Sequence, residues 1–231
     1  MKKSPITLTL ILFALFLAYT CACIMVDVGE FTPQSVEAGA GDNLTATDIG
    51  FHWLNLSVHN SLGFNRTFYD ISEYLGYAAL LTGFAIGCLW LYKLIRCKHP
   101  LKVEPCLNAS VITMALMVVF YLLFELIKLN YRPVILSGGE LEASYPSSHT
   151  LLGCVIFGCA AMVSGKLVQD ASVAKSLKWL FYVLAIVLTL FRALSGVHWI
   201  SDIIGGVLLS LALVSFGSFA MEFQNEIPEK Q

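Results

Sequence analysis

Charge is scarce in this chain. Lys and Arg number 14 and Asp and Glu 16 among 231 residues, 13% in all, where a soluble domain usually carries about 25%. The net charge of −2 gives no basic field for nucleic acid, so nucleic-acid binding is not expected. There is no Cys-x-x-Cys pair among the seven cysteines, and Cys21 and Cys23 are too close together for a finger-type zinc site. Free, apolar packing is expected of all seven, with Cys97 and Cys106 placed in a basic loop. Internal repeats and low-complexity tracts are also missing, and only residues 26–70 form a long polar stretch. What remains is 57% hydrophobic, with a mean hydropathy of +0.75. The expectation is an integral membrane protein with one domain over residues 1–231.

A bilayer span takes about 20 apolar residues. Six runs qualify, at roughly 5–25, 74–92, 109–127, 149–165, 178–193 and 201–221. The predicted fold class is therefore all-α, a bundle of six transmembrane helices. The fourth and fifth runs are short and need protein neighbours. Lys2-Lys3 before an apolar run also fits a signal peptide, but the flank "AYTCAC" is a poor cleavage site, so a retained span is expected. With the N-terminus inside, 10 of the 14 basic residues fall on the inner side: Lys2, Lys3, Lys93, Arg96, Lys98, Lys102, Lys166, Lys175, Lys178 and Lys230. That asymmetry predicts a plasma-membrane protein with both termini cytoplasmic. Between the first two spans, "IGFHWLNLSVHNSLGFNRTFYDISEYLG" interleaves apolar and polar residues and reads as an amphipathic helix on the outer surface. His52 and His59 lie there and are expected to be structural. Asn43, Asn55 and Asn65 head N-x-S/T sequences that this topology makes accessible, whereas Asn108 faces inside. Gly39 and Gly41 belong to the polar stretch, which has no apolar period before Ile49.

Four basic residues escape the inner side: Arg66, Lys128, Arg132 and Arg192. Three segments at the outer level gather them with other polar groups: "FELIKLNYRP", "SYPSSHT" and "RALSGVHWISD". Together these offer Lys128, Arg132, Ser147, Ser148, His149, Arg192, His198 and Asp202. Lys128 and Arg132 share a face if the third span continues. Asp202, four residues after His198, can accept a hydrogen bond from one imidazole nitrogen and so free the other as base or nucleophile. His149 stands at the start of the fourth span, where unpaired N–H groups favour an anion. Two His and one Asp could hold a metal, but three cations beside them would repel it. Two Arg, one Lys and a helix N-terminus suit a phosphate. Phosphoryl transfer needs little more than oxygen stabilisation, a nucleophile and a leaving-group acid. The residues alone do not say which histidine attacks.

The three segments resemble the signature of the type-2 phosphatidic acid phosphatase superfamily: K-x6-R-P, P-S-G-H and S-R-x5-H-x3-D. Here they read "ELIKLNYRP", "PSSH" and "FRALSGVHWISD", spread over residues 125–202. The resemblance implies that His198 is the nucleophile forming a phosphohistidine, that Asp202 orients it, and that His149 protonates the leaving oxygen. It implies that Arg132, Arg192 and the backbone at Ser147 and Ser148 hold the phosphoryl oxygens, with no metal and no cofactor. There are departures. Glu125 stands where the family has Lys, so Lys128, one turn on, is expected to serve instead. Ser148 replaces Gly and Phe191 replaces Ser. The expected partners are the lipid bilayer and an amphiphilic phosphorylated substrate: phosphatidic acid, phosphatidylglycerol phosphate or a polyprenyl pyrophosphate. Glu140 and Glu142 would disfavour very anionic head groups. A phosphotransferase on the same site, or an anion-binding or transport protein, are the rival readings. The transporter predicts polar residues deep in several spans, whereas these span centres are largely apolar.

Overall fold

The computed structural model describes residues 5–36, 46–136 and 141–226. Lys2, Lys3, Gly39, Gly41, Asn43, Glu140 and Lys230 lie outside the described residues. Seven helices follow the chain: α1 (Pro5–Met25), α2 (His52–Leu62), α3 (Arg66–Cys97), α4 (Pro105–Ile127), α5 (Ser148–Leu167), α6 (Ala171–Leu194) and α7 (Ile200–Glu226). All except α2 are long and apolar enough to cross a membrane, which makes this a multi-pass membrane protein. The polar stretch adds short pairings. β1 (Gly29–Phe31) runs antiparallel to β3 (Thr47–Ile49), and β2 (Gln34–Ser35) runs parallel to β4 (Val134–Ile135). α1 coincides with its apolar run, and the other five spanning helices extend past theirs. α3 has 32 residues because its first two turns are polar yet keep helical spacing, and Asn65 caps it by accepting from Phe68 N–H at 3.0 Å. Cys97 ends α3 and Cys106 sits buried in the first turn of α4, so neither is a loop residue as expected.

α5 is the central helix, and it packs against α3, α4, α6 and α7. A lipid-soluble helix gains nothing from burying apolar area against its neighbours, so close backbone approach has to hold the bundle. The sequence supplies this with small residues. A Cβ at Gly158 would lie 2.8 Å from a Val214 methyl, and one at Gly206 would lie 3.1 Å from the Ser147 carbonyl oxygen. Hydroxyls add interhelical bonds at about 0.6 kcal/mol each, among them Thr9–Ser215 at 2.9 Å and Tyr19 to the Ser201 carbonyl at 3.1 Å, and Thr20 bonds Tyr145 in the approach to α5 at 2.7 Å. The short fourth run is thus buried on most sides, as its length required.

α2 reverses the usual pattern of a surface helix. Trp53 is 73% exposed, whereas Asn55 is 1% exposed and His59 is buried. Asn55 donates to the Gly50 carbonyl at 2.8 Å and to Ser201 Oγ at 2.9 Å, and accepts from Ser201 N–H at 3.2 Å. The expectation that Asn55 is an accessible glycan acceptor is therefore wrong. Its amide is spent on the start of α7. Asn65 likewise serves as a helix cap.

The alternation of six spans brings the C-terminal ends of α1, α4 and α6 and the N-terminal ends of α3, α5 and α7 to one side. The opposite side carries Lys93, Arg96, Lys98, Lys102 and Lys166, with Lys93 paired to Glu104. Gly50 locks α2 onto α1, because a Cβ there would lie 1.8 Å from the Cys23 carbonyl oxygen. Gly50→Ala should destabilise the detergent-solubilised protein by about 1–3 kcal/mol through overpacking. Gly87→Ala, with no atom within 4 Å of the added Cβ, should leave the thermal midpoint unchanged or slightly raised. Equal effects from the two would contradict this packing.

Candidate active site

His198 lies in the tight loop from Ser195 to Trp199 between α6 and α7. Gly196 makes that loop possible. Its φ is +67°, and a Cβ would stand 1.9 Å from the Gly63 carbonyl oxygen. Asn65 N–H bonds the Ser195 carbonyl at 2.9 Å, which ties the loop to the start of α3. Trp199 anchors its far end, donating from Nε1 to the Tyr131 carbonyl at 2.8 Å. His59 packs edge-on against Trp199 at 5.5 Å between ring centroids, and burial pushes its imidazole below the usual range. His59 is thus a packing residue, as expected. So is His52, whose Nε2 lies 3.2 Å from the Glu30 carbonyl oxygen.

Asp202 opens α7 and has no exposed surface. The expected direct bond to His198 is not made: Nδ1 is 3.9 Å from Asp202 Oδ2. Ser144 stands between them. Its hydroxyl donates to Asp202 Oδ2 and lies 3.0 Å from His198 Nδ1. A hydroxyl has one proton to give. With that proton on Asp202, Ser144 Oγ accepts from Nδ1–H, which leaves a lone pair on Nε2. Arg192 Nη2 points at Nε2 from 3.5 Å, and a guanidinium can only donate there. Asp202 fills its other acceptor sites with Asn130 Nδ2 at 3.0 Å, Trp199 N–H at 3.1 Å and Ser201 Oγ at 3.4 Å. Burial first, then Arg132 and Arg192, push the His198 imidazole well below its ordinary value.

Arg192 is fully buried in the last turn of α6. Its Nη1 donates to Glu73 Oε1 at 2.9 Å and to Ser72 Oγ at 3.3 Å, and the guanidinium lies 5.1 Å above the Tyr69 ring. His149, in the first turn of α5, places Nε2 3.0 Å from the same Glu73 oxygen. Gly76 leaves room for that ring, since a Cβ would sit 2.9 Å from His149 Cδ2. Ser147 precedes α5 but does not cap it with its side chain, and its hydroxyl instead accepts from Thr150 at 3.1 Å. The N–H groups opening α5 therefore have no side-chain cap. Ser148 is helical, so the family's Gly is not demanded at that position.

Arg132 pairs with Glu142 at 2.7 Å. It lines a cavity of about 90 Å³ with Tyr121, Phe124, Glu125, Ser148 and Leu151 among its walls. Lys128 is not brought there. α4 ends at Ile127, and Lys128 takes a left-handed conformation at φ 49° and is exposed. The shared helix face on which it was paired with Arg132 does not form. Glu125 faces this cavity, across from Ser148 and Leu151 of α5.

Residues 129–225 match the PAP2 superfamily. This segment is a PAP2 region. It contains Arg132, Ser147, Ser148, His149, Arg192, His198 and Asp202, and begins just after Lys128. The whole fold is similar to a crystal structure described as the first transmembrane PAP2 type phosphatidylglycerolphosphate phosphatase from Bacillus subtilis. The TM-score is 0.60 and the identity 17%, covering 97% of this chain and 99% of that chain. At that identity the likeness concerns the fold. Comparison with curated proteins gives no match.

Outside the PAP2 region, α3 supplies a wall that the sequence reading missed. Tyr69, Ser72, Glu73 and Gly76 stand at i, i+3, i+4 and i+7, one helical face. That spacing was the available signal. Ser144 and Asn130 were missed because nothing local marks a serine or asparagine in a loop as a partner of Asp202.

Ring-nitrogen NMR of His198 should find hydrogen on Nδ1 and none on Nε2. The ring should stay neutral as pH falls through about 6.5, the ordinary value. Since the unfolded chain takes that proton and the folded site resists it, stability should decline below that pH. Titration of His198 at or above 6.5 would contradict its placement. Ser144→Ala should mix the two tautomers.

Proposed function

We propose that this chain is a membrane phosphatase that removes a phosphoryl group from a lipid phosphomonoester or pyrophosphate at the outer membrane face. The PAP2 region and the membrane PAP2 fold support a lipid phosphatase in general. The observation that carries the reading is the state of His198: Nδ1 held by Ser144, Nε2 left with its lone pair and facing Arg192.

Nε2 attacks phosphorus, and the N–P bond forms as the bond to the leaving oxygen breaks. His149 gives that oxygen its proton. Arg192, Arg132 and the N–H groups opening α5 hold the non-bridging oxygens as charge gathers on them. The ring of His198 becomes positive, and Asp202 balances it through Ser144. Water, deprotonated by His149, then attacks the phosphohistidine. The N–P bond breaks, inorganic phosphate leaves, and both histidines return to their starting states. No step uses a metal, and Lys128 has no part. The basic residues gathered at the opposite ends of the helices support an outer site and cytoplasmic termini. The cavity beside Arg132 is walled by Tyr121 and Phe124 of α4 and by Ser148 and Leu151 of α5, which supports entry of a head group between two spans while its tail stays in lipid. Phosphatidic acid, phosphatidylglycerol phosphate and polyprenyl pyrophosphates fit that description.

Phosphate release by the solubilised protein in EDTA tests the reading. His198→Ala should lower turnover by about 10³-fold or more. Ser144→Ala removes one buried, charge-assisted hydrogen bond of about 1.5–3 kcal/mol and should slow turnover about 10- to 100-fold. Lys128→Ala should be near neutral. Full activity in His198→Ala would overturn the assignment.

A further inference from the structure

Glu73 belongs to no signature segment and lies outside the PAP2 region, yet it touches two of that region's central side chains. A single oxygen, Oε1, lies 3.0 Å from His149 Nε2 and 2.9 Å from Arg192 Nη1. The surroundings are built for this contact. Ser72, its neighbour on α3, shares Arg192 Nη1 at 3.3 Å, and the absent side chain of Gly76 makes the recess that the His149 ring fills. His149 Nδ1 is buried and has no hydrogen-bond partner among the described residues. The two histidines are thus served differently. His198 reaches its carboxylate through a hydroxyl, whereas His149 meets one directly.

We propose that Glu73 is a positioning residue for the leaving-group acid, fixing His149 through Nε2 so that Nδ1 delivers the proton. This rests on the phosphatase reading above. With Nε2–H donated to Glu73, the protonated ring holds its transferable proton on Nδ1, the only other nitrogen. The carboxylate supplies the counter-charge while the ring is positive. As the phosphorus–oxygen bond breaks, the Nδ1 proton passes to the leaving oxygen, which departs as an alcohol. His149 is left neutral, with hydrogen on Nε2 alone and a lone pair on Nδ1. The attacking water gives its proton to that lone pair in the second step, which restores the charged ring against Glu73. The tie to Arg192 sets the acid at a fixed distance from the guanidinium that holds the phosphoryl oxygens.

An acid matters in proportion to how poor the leaving group is. The test compares a lipid-tailed aryl phosphate, whose phenolate leaves unaided, with phosphatidic acid, whose alcohol does not. Phosphate release is measured for the full-length wild type, Glu73→Gln and Glu73→Asp. Glu73→Gln should slow phosphatidic acid hydrolysis by about 10²-fold or more while slowing the aryl ester less than about 5-fold. Glu73→Asp should recover part of the loss on phosphatidic acid. Equal losses on both substrates would overturn the proposal, because they would mean a lost phosphate clamp or a lost fold. A Glu73→Gln variant with lower KM and unchanged kcat would also overturn it. In that case the carboxylate merely occupies the phosphate's seat. If the wild type releases phosphate from neither ester, the phosphatase reading itself fails, and the proposal falls with it.

Discussion

The site depends on one buried carboxylate. Asp202 has no exposed surface, and an uncompensated charge in such a place is untenable. It survives because four groups converge on it: Asn130, Ser144, Ser201 and the Trp199 N–H. Those groups come from the loop after α4, the approach to α5 and the start of α7. To satisfy Asp202 the chain must bring all three together. In doing so it places His198, Arg132 and the opening of α5 around one point. The carboxylate is thus an organising charge for this end of the bundle.

The cations of the site are also matched. Arg192 has Glu73 and Arg132 has Glu142, each at bonding distance. A pair of unpartnered guanidiniums in a desolvated cleft would repel each other and destabilise the ends of α4 and α6. The carboxylates remove that repulsion, and on the phosphatase reading proposed above an incoming phosphate competes with them. On the same reading that competition eases release of inorganic phosphate, because the departing anion has a replacement at hand.

The chain's sequence made the architecture readable because membrane spans obey a coarse rule, length and apolarity, that needs no knowledge of packing. All six spans were found, although the ends of all but the first were set too tight: the first turns of α3 and α6 are polar and carry no hydropathy signal. The cluster of His149, Arg192, His198 and Asp202 was legible for a related reason, since ionisable residues at the end of an apolar run stand out. Their uncharged partners did not. Ser144 and Asn130 look like ordinary loop residues, and their importance comes from where tertiary folding puts them. Lys128 misled because its role required α4 to continue. A left-handed residue at Lys128 ended the helix instead, and no Gly or Pro there gave warning. Asn55 misled in the opposite way. A sequon reads as surface, but Asn55 and His59 sit on the side of α2 that meets the protein, while Trp53, Leu54 and Leu62 are exposed.

α3 is about 48 Å long at 1.5 Å per residue, well beyond the roughly 30 Å of a hydrocarbon core. Such a helix tilts or protrudes, by an amount that the surrounding lipid sets. It cannot do so alone, because Glu73 ties its N-terminal part to Arg192 on α6 and to His149 on α5. A thicker or thinner membrane therefore reorients the bundle as one body. The clamp and the histidines keep their distances, and what shifts is the depth at which the cleft meets the lipid head groups. Hydrophobic mismatch would then be felt as a change in which part of a lipid reaches the site, with the chemistry inside it unaltered.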